Sequence, residues 1–197
     1  MRILLVVYDN DSYIHWFPQG LAYIAAVFQQ LDCEVVIYNQ DLHHWLSEHL
    51  TNYLDNNPFD AVGVSVIAGY YQYRKLLEIS EAINRSKNRP TYILGGHGPA
   101  PEPQYFMKKT GADIIDIDHQ VTNLQDCSGL LGDSQVFCGK SDPVSVIQDG
   151  APQIILDSVK GDFDQAGGRC IVSAGCEITP ETSVENMRML CESGWEL

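Results

Sequence analysis

The strongest constraint on the fold is the stretch from Ala61 to Pro99. It opens on an apolar run, Ala61-Val-Gly-Val-Ser-Val-Ile67, whose length and β-branched content suit a strand buried on both faces. Tyr73 to Ile83 then places apolar residues at 76, 77, 79, 82 and 83, which is one face of a helix. Pro90-Thr-Tyr-Ile-Leu94 reads as a second strand that breaks on Gly95-Gly96-His97-Gly98-Pro99. A strand–helix–strand unit of this kind pairs its strands in parallel through a right-handed crossover. Ligands of open α/β sheets sit beyond the carboxyl ends of the strands. Ser65 and the Gly95–Gly96 pair fall at two such ends.

The remaining chain alternates in the same way. Residues 2–8 read as a strand, 19–31 as a helix with Pro18 just before its first turn, 34–38 as a strand, and 42–53 as a helix bearing His and Trp. Beyond the central unit, 102–109 reads as a short helix and 113–117 as a fifth strand. Two further strands, at 135–138 and 169–173, are followed by helices at 154–165 and 184–191. Seven strands alternating with helices imply an α/β fold with parallel pairing. A doubly wound sheet is expected; a partial or closed βα barrel is the alternative. The chain changes character near 111–118, where long aromatic loops give way to loops of Gly, Asp and Pro. No Pro/Ser-rich linker separates the two parts.

Charge narrows the partners. With 26 acidic against 12 basic residues and a net charge of -14, the chain lacks the basic face that nucleic acid or an anionic membrane requires. No apolar run reaches the roughly 18–20 residues of a membrane span. The N-terminus enters a strand without a signal-peptide pattern, so a cytoplasmic protein is expected. The six cysteines, at 33, 127, 138, 170, 176 and 191, form no CxxC pair and no disulfide spacing, and most are expected to be reduced core thiols.

Ser65-Val66-Ile67 is followed, after residues 68–94, by Gly95-Gly96. A small hydroxyl at a strand end can hydrogen-bond a nitrogen heterocycle, and two glycines let a flat group pass close to backbone. A generic Rossmann-type sheet, with Ser65 as a core hydroxyl and the glycines as a turn, explains the same spacing. The spacing resembles the SxL…GG element of flavodoxin-like cobalamin-binding domains. Residues 1–113 as a whole resemble the N-terminal cobalamin-binding domain of B12-dependent radical SAM enzymes. The matching pieces are Arg2-Ile-Leu-Leu-Val, Pro18-Gln-Gly-Leu-Ala-Tyr-Ile-Ala-Ala, Val62-Gly-Val-Ser and Ile93-Leu-Gly-Gly-His-Gly. The resemblance implies cobalamin as cofactor, with Tyr13, Ile14, His15 and Trp16 facing the corrin. It implies Ser65, Val66, Ile67, Gly69, Tyr70, Gly95, Gly96, His97 and Gly98 as the rest of the lining. The DxHxxG loop that puts a histidine on cobalt in other cobalamin domains is missing, since Asp11-Ser-Tyr-Ile-His15 has the wrong spacing. A base-off cofactor without a protein imidazole on cobalt is therefore implied. The CxxxCxxC triad of radical SAM chemistry is also absent from the sequence.

Residues 111–194 resemble the C-terminal end of the uroporphyrinogen decarboxylase and methylcobamide methyltransferase family, a TIM barrel. The pieces are Gly111-Ala-Asp-Ile-Ile-Asp-Ile-Asp-His119, Cys138-Gly-Lys-Ser-Asp-Pro143, Ser173-Ala-Gly-Cys-Glu-Ile178 and Thr182-Ser-Val-Glu-Asn-Met187. These would be the last three βα units of the barrel. The family turn GNxDP is altered here to Gly139-Lys-Ser-Asp-Pro143. Cys176 stands where the methyltransferase branch has its later zinc thiolate, but the HxC pair is missing, and one thiolate does not make a tetrahedral zinc site. No metal ligands are expected. Gly139-Lys140-Ser141 is not a P-loop, because Ser134 stands where GxxxxGK[ST] needs glycine. His43, His44 and His49 do not share a helix face well enough for a metal.

Together these features lead to an expected doubly wound, flavodoxin-like (Rossmann-like) parallel sheet extended by TIM-barrel-derived βα units, with a 1–113 cobalamin-binding part and a 114–197 part packed as one continuous domain. The join within Thr110–Asp113 points to an engineered or recombined chimera. The expected function is a non-catalytic cobalamin-binding module, monomeric or weakly dimeric, with no catalytic residues. The alternatives are a fold chimera with no ligand and a corrinoid-dependent methyltransferase fragment.

Overall fold

The computed structural model describes residues 1–11, 17–67, 69–122, 124–129, 132, 134–195 and 197. The chain divides into two compact units, Met1–Gly98 with Lys108–Asp113, and Pro99–Met107 with Ile114–Leu197. Both are α/β, and the strands of each pair in parallel, as the alternation of strand and helix requires.

In the first unit, β1 (Arg2–Val7), β2 (Glu34–Asn39), β3 (Ala61–Ser65) and β4 (Thr91–Gly95) lie in the order β2-β1-β3-β4. This order is that of the first four strands of a flavodoxin-like sheet. Ile3 and Leu5 of β1 pack with Ala25, Leu21 and Phe28 of α1 (Gln19–Gln30). Period-2 alternation sends Leu4 and Val6, both 0% exposed, to the opposite face. A strand buried on both faces is what the apolar runs of β1 and β3 demand.

The helix expected over 42–53 is broken in two. Asn39 caps α2 (Gln40–His43) by accepting from the Leu42 amide at 3.1 Å, and His44 ends it in a left-handed conformation at φ 51°. The chain restarts as α3 (Ser47–Asn56). Between them the Trp45 ring stacks on His43 and His49, with centroids 4.1 and 4.3 Å apart. Aromatic packing across the bend, which periodicity does not register, favours two short helices over one. α4 (Tyr70–Arg85) starts three residues earlier than its apolar face suggests.

In the second unit, β5 (Ile114–Asp116), β6 (Val136–Cys138) and β7 (Cys170–Ile171) lie in that order. They are joined through α6 (Leu124–Ser128), a π-helical turn over Pro143–Gln148, and α7 (Pro152–Gln165), and followed by α8 (Val184–Ser193). The short helix α5 (Pro103–Thr110) precedes β5. Ile147, Ile155, Val159, Ala174 and Leu190 form the core of this unit. The Asn186 amide secures the π-helical turn, reaching the carbonyls of Ile147, Gln148 and Gly150 at 2.8–3.1 Å. Among the described residues no helix is long and apolar enough to cross a membrane.

The segment 110–113 is tied firmly into the first unit. Asp113 receives a two-pronged bond from Arg89, at 2.8 and 3.1 Å, and its carboxylate also accepts from the Tyr92 amide at 2.7 Å. Arg89 donates further to the Gly111 carbonyl and to Asn84, whose own amide reaches the Thr110 carbonyl. Forked guanidinium–carboxylate pairs add geometry as well as energy. Asp113→Ala strands the guanidinium and the Tyr92 N–H together, and urea unfolding should show a loss of about 2 kcal/mol. Arg89→Lys keeps the charge, loses the fork and should cost roughly half as much.

Candidate functional site

The order β2-β1-β3-β4 has one topological switch point, between β1 and β3, where successive connections leave in opposite directions. A cleft opens at the carboxyl ends of neighbouring strands that diverge in this way. A cavity of about 360 Å³ is found there. Its walls come from the end of β1 and the loop after it (Val6, Val7, Tyr8, Asn10), from the start of α1 (Phe17 to Leu21, and Ile24), from Asp41 of α2, and from Ser65 and Ile67 after β3. Mostly apolar walls with a few placed polar groups suit a flat organic ligand.

Ser65 and Gly96 are brought together. A Cβ on Gly96 would lie 2.8 Å from Ser65 Oγ and 2.2 Å from the Val66 carbonyl oxygen, and its φ is +98°. A Cβ on Gly98 would lie 2.8 Å from the Ile67 carbonyl oxygen. The two glycines therefore lay the loop after β4 directly on the chain leaving β3, with Val66 and Gly95 bonded through backbone at 3.2 Å. Val66 is 3% exposed and turns into the core, whereas Ile67 and Tyr70 are 60% and 77% exposed and His97 and Gly69 are at the surface. Ser65 and Ile67 reach the cavity wall. Tyr13, Ile14, His15 and Trp16 lie outside the described residues.

The α1 residues of the cavity were not singled out from the sequence as lining. Their signal is present in Pro18-Gln-Gly-Leu, where Gly20 leaves the first turn of the helix without a side chain and no atom lies within 4 Å of its missing Cβ. A charged cluster borders the same strand ends. Asp9 is 3.0 Å from His44 Nδ1 and 3.6 Å from Lys75 Nζ. Burial works against the Asp9 carboxylate, but the Asp11 amide, His44 and Lys75 outweigh it and hold its pKa below the usual range. Asp41, 5% exposed, accepts from the Asn10 amide at 2.8 Å and so fixes the loop after β1.

The ends of β5, β6 and β7 form a second cluster within the second unit. Backbone bonds lace these ends together: Ile117 N to Cys138 O, Gly139 N to Ile171 O, Gly175 N to Ser141 O, and His119 N to Gly175 O, all 2.9–3.1 Å. Gly175 presses on His119, whose Cα would be 2.7 Å from any Cβ placed there. Asp142 caps the π-helical turn through the amides of Val144 and Ser145 at 2.8 and 3.0 Å. Burial raises the Cys138 thiol pKa to about 11, with Asp116 adding to it, and that of Cys170 to about 12, so both stay protonated at neutral pH. Cys176 is a free, exposed thiol. Among the described residues no group of three or more His, Cys, Asp or Glu is arranged to hold a metal ion.

Asp116 is paired in register with Cys138, and its carboxyl is pushed up to about 6, first by burial and then by the neighbouring Asp118 charge. A carboxyl whose folded pKa lies above its unfolded value binds protons more tightly when folded. Its penalty is absent at low pH and develops as pH rises from about 4 through 6. Asp116→Asn should therefore raise the melting temperature more at pH 7.5 than at pH 4.5; an equal gain at both would remove this assignment.

Two family models match the chain. The B12 binding domain matches residues 6–123, and uroporphyrinogen decarboxylase (URO-D) matches residues 71–196. No curated protein matches. Among solved structures, a methyltransferase from Methanosarcina mazei is similar with a TM-score of 0.55 at 14% identity, over 76% of this chain and 47% of that one. A radical S-adenosylmethionine methyltransferase from Kitasatospora setae, TsrM, solved with cobalamin and an iron–sulfur cluster, gives a TM-score of 0.45 at 19% identity, over 57% of this chain and 21% of that one. The chain thus spans about half the length of the first and a fifth of the second.

These matches correct one expectation. A module without enzymatic character is overturned by the match to the uroporphyrinogen decarboxylase family over residues 71–196. The barrel-like motifs of the sequence begin at residue 111 and span three βα units. The match begins at residue 71 and takes in α4, β4 and α5 as well. Cobalamin is the cofactor that the first match carries, and the apolar cleft with Ser65 and Asn10 on its walls has room for the flat base of its nucleotide tail. The chain belongs to the B12-binding domain family through residues 6–123 and to the uroporphyrinogen decarboxylase family through residues 71–196.

Proposed function

We propose that the chain takes part in corrinoid-dependent methyl transfer, its first unit holding cobalamin and its second unit presenting the substrate. The observation that carries the cofactor half is the cavity at the β1/β3 switch point, inside the stretch matched by the B12-binding domain. Bound there, cobalamin would supply a cobalt-carried methyl group. The residues of the chain do the rest. Tyr8, Phe17, Ile24 and Ile67 exclude water from the flat ligand, and Ser65 and Asn10 offer hydrogen bonds to its polar edge. Tyr8 is suited to stay a neutral hydroxyl, since burial raises its pKa and Asp41 adds to it against a bond from Asn10. Gly96 acts mainly by seating the loop on Val66, so His97, Gly69 and Tyr70 form the outer rim.

The substrate half rests on the URO-D match and on the laced strand ends around His119 and Asp142. Residues 71–123 are matched by both families. That overlap supports recombination of βα units, with α4, β4, α5 and β5 serving both halves.

Aquocobalamin added to the chain should stay with it through gel filtration, with a shifted absorbance spectrum. Ile24→Glu puts a charge into the apolar wall and Ser65→Val removes the hydroxyl. Each should weaken retention about tenfold or more, which corresponds to about 1.4 kcal/mol, with circular dichroism unchanged. A wild-type chain that retains no corrinoid would sink the cofactor half. Gly96→Ala separates the two roles of the glycines: its Cβ meets the Val66 carbonyl, so thermal stability should fall along with binding, whereas lost binding at full stability would assign Gly96 to the ligand.

A further inference from the structure

His119 stands out in the second unit as an imidazole whose backbone is locked and whose ring is not. Its amide donates to the Gly175 carbonyl at 3.1 Å, and Gly175 has no space for a side chain against it. The ring lies between two carboxylates, with Asp118 Oδ1 3.4 Å from Nδ1 and Asp142 Oδ2 3.9 Å from Nε2. Nδ1 is buried and makes no hydrogen bond, because the Asp118 oxygen is off line. Nε2 also lies beyond hydrogen-bond distance of its carboxylate. The side chain as a whole is 26% exposed, so the ring is open on one side. Asp142 is held ionised: burial works against it, but the Ser145 and Val144 amides and His119 outweigh this. The remaining charges nearby are engaged elsewhere or one step removed. Lys140 donates to the Val121 carbonyl at 2.8 Å, and Asp116 feels the Asp118 charge.

The two carboxylates would flank the positive charge that forms on this ring when it takes a proton from a substrate. It is also placed at the carboxyl ends of parallel strands, where substrates of βα folds bind. We infer that His119 is the proton acceptor for the substrate of the second unit, a nucleophile with a weakly acidic X–H bond. The inference rests on the reading of that unit as the substrate half. In the step, the X–H bond breaks and the Nε2–H bond forms. The electron pair stays on X, giving an anionic nucleophile, and the neutral ring becomes an imidazolium flanked by Asp118 and Asp142. Asp118 acts on Nδ1 and Asp142 on Nε2 as positioning residues.

The test uses the full chain loaded with methylcobalamin, with dithiothreitol as the thiol probe. His119→Gln should slow methyl transfer about 100-fold, while corrinoid retention stays unchanged. Asp142→Asn keeps an oxygen for the two capping amides and should slow transfer about tenfold. Free imidazole should restore part of the rate in His119→Ala. An unaltered rate in His119→Gln, or no gain from free imidazole in His119→Ala, would overturn the inference. A second measurement needs no turnover. Diethyl pyrocarbonate at pH 7, followed by peptide mapping, should modify His119, and dithiothreitol should not be needed for access. A His119 that stays unmodified while exposed His43 reacts has no open nitrogen, and the inference falls. Should the wild-type chain hold cobalamin but transfer no methyl group, the methyl-transfer reading falls by itself, and the peptide map still decides whether His119 is open to a substrate.

Discussion

The contact on which the first unit depends is one of backbone against backbone. At Gly96 the loop leaving β4 comes so near the Val66 carbonyl that a single methyl group would overlap it, and at Gly98 the same loop meets Ile67. Parallel strands alone do not require such closeness; helices normally hold their ends apart. Here two neighbouring exits are pressed into one wall, and Ser65 is caught between that wall and the cleft. The second unit uses the same device, with Gly175 against His119 and Gly139 against the Ile117 carbonyl. In both units a residue with a reactive or hydrogen-bonding side chain is held by its own backbone rather than by its side-chain contacts. That arrangement leaves the side chain free for a ligand.

Charge follows the same division of labour. The polar groups of the cleft are few, and most of them serve the loops: Asp41 fixes Asn10, and Asp9 is satisfied by His44 and Lys75. These pairs keep the rim of the cavity in place at the cost of partial desolvation, which explains why Asp9 stays ionised despite its burial. In the second unit the carboxylates are not neutralised in this way. Asp118 and Asp142 flank one imidazole, with Lys140 turned to a carbonyl.

Much of the fold was legible from the sequence because it rests on patterns that periodicity records. The seven strands, the parallel pairing and most of the helices follow from apolar runs and their spacing. The break at His44 was not legible, since it depends on Asn39 as a cap and on Trp45 stacking between two imidazoles. The π-helical turn was missed for a similar reason. It is held by a single distant side chain, Asn186, and by the Asp142 cap. Of the cavity walls, Ser65 and Ile67 carry a signal in the sequence, while Gly96 and Gly98 lie behind them as the close contact between the two loops. Phe17, Gly20 and Ile24 were not legible, because a helix rich in apolar residues reads as core, and nothing in the sequence says which of its faces meets the sheet. The structure gives Leu21, Ala25 and Phe28 to the sheet.

Residues 71–123 answer to two families at once, and the physics of the βα unit explains how this is possible. A helix such as α4 buries Leu76, Ile79, Ala82 and Ile83 against a parallel strand, and the same stripe serves whether the sheet is open or closed into a barrel. What distinguishes the two folds is the geometry of successive strands, and that is set at the loops. The lock at 110–113 therefore matters more than its position between two elements suggests. By holding Asp113 to Arg89 and to the Tyr92 backbone, it fixes where the chain leaves β4's neighbourhood before β5 begins. A sequence that strengthens this exit can keep the cobalamin half intact whatever βα units follow it, because the core of the first unit is complete by residue 113.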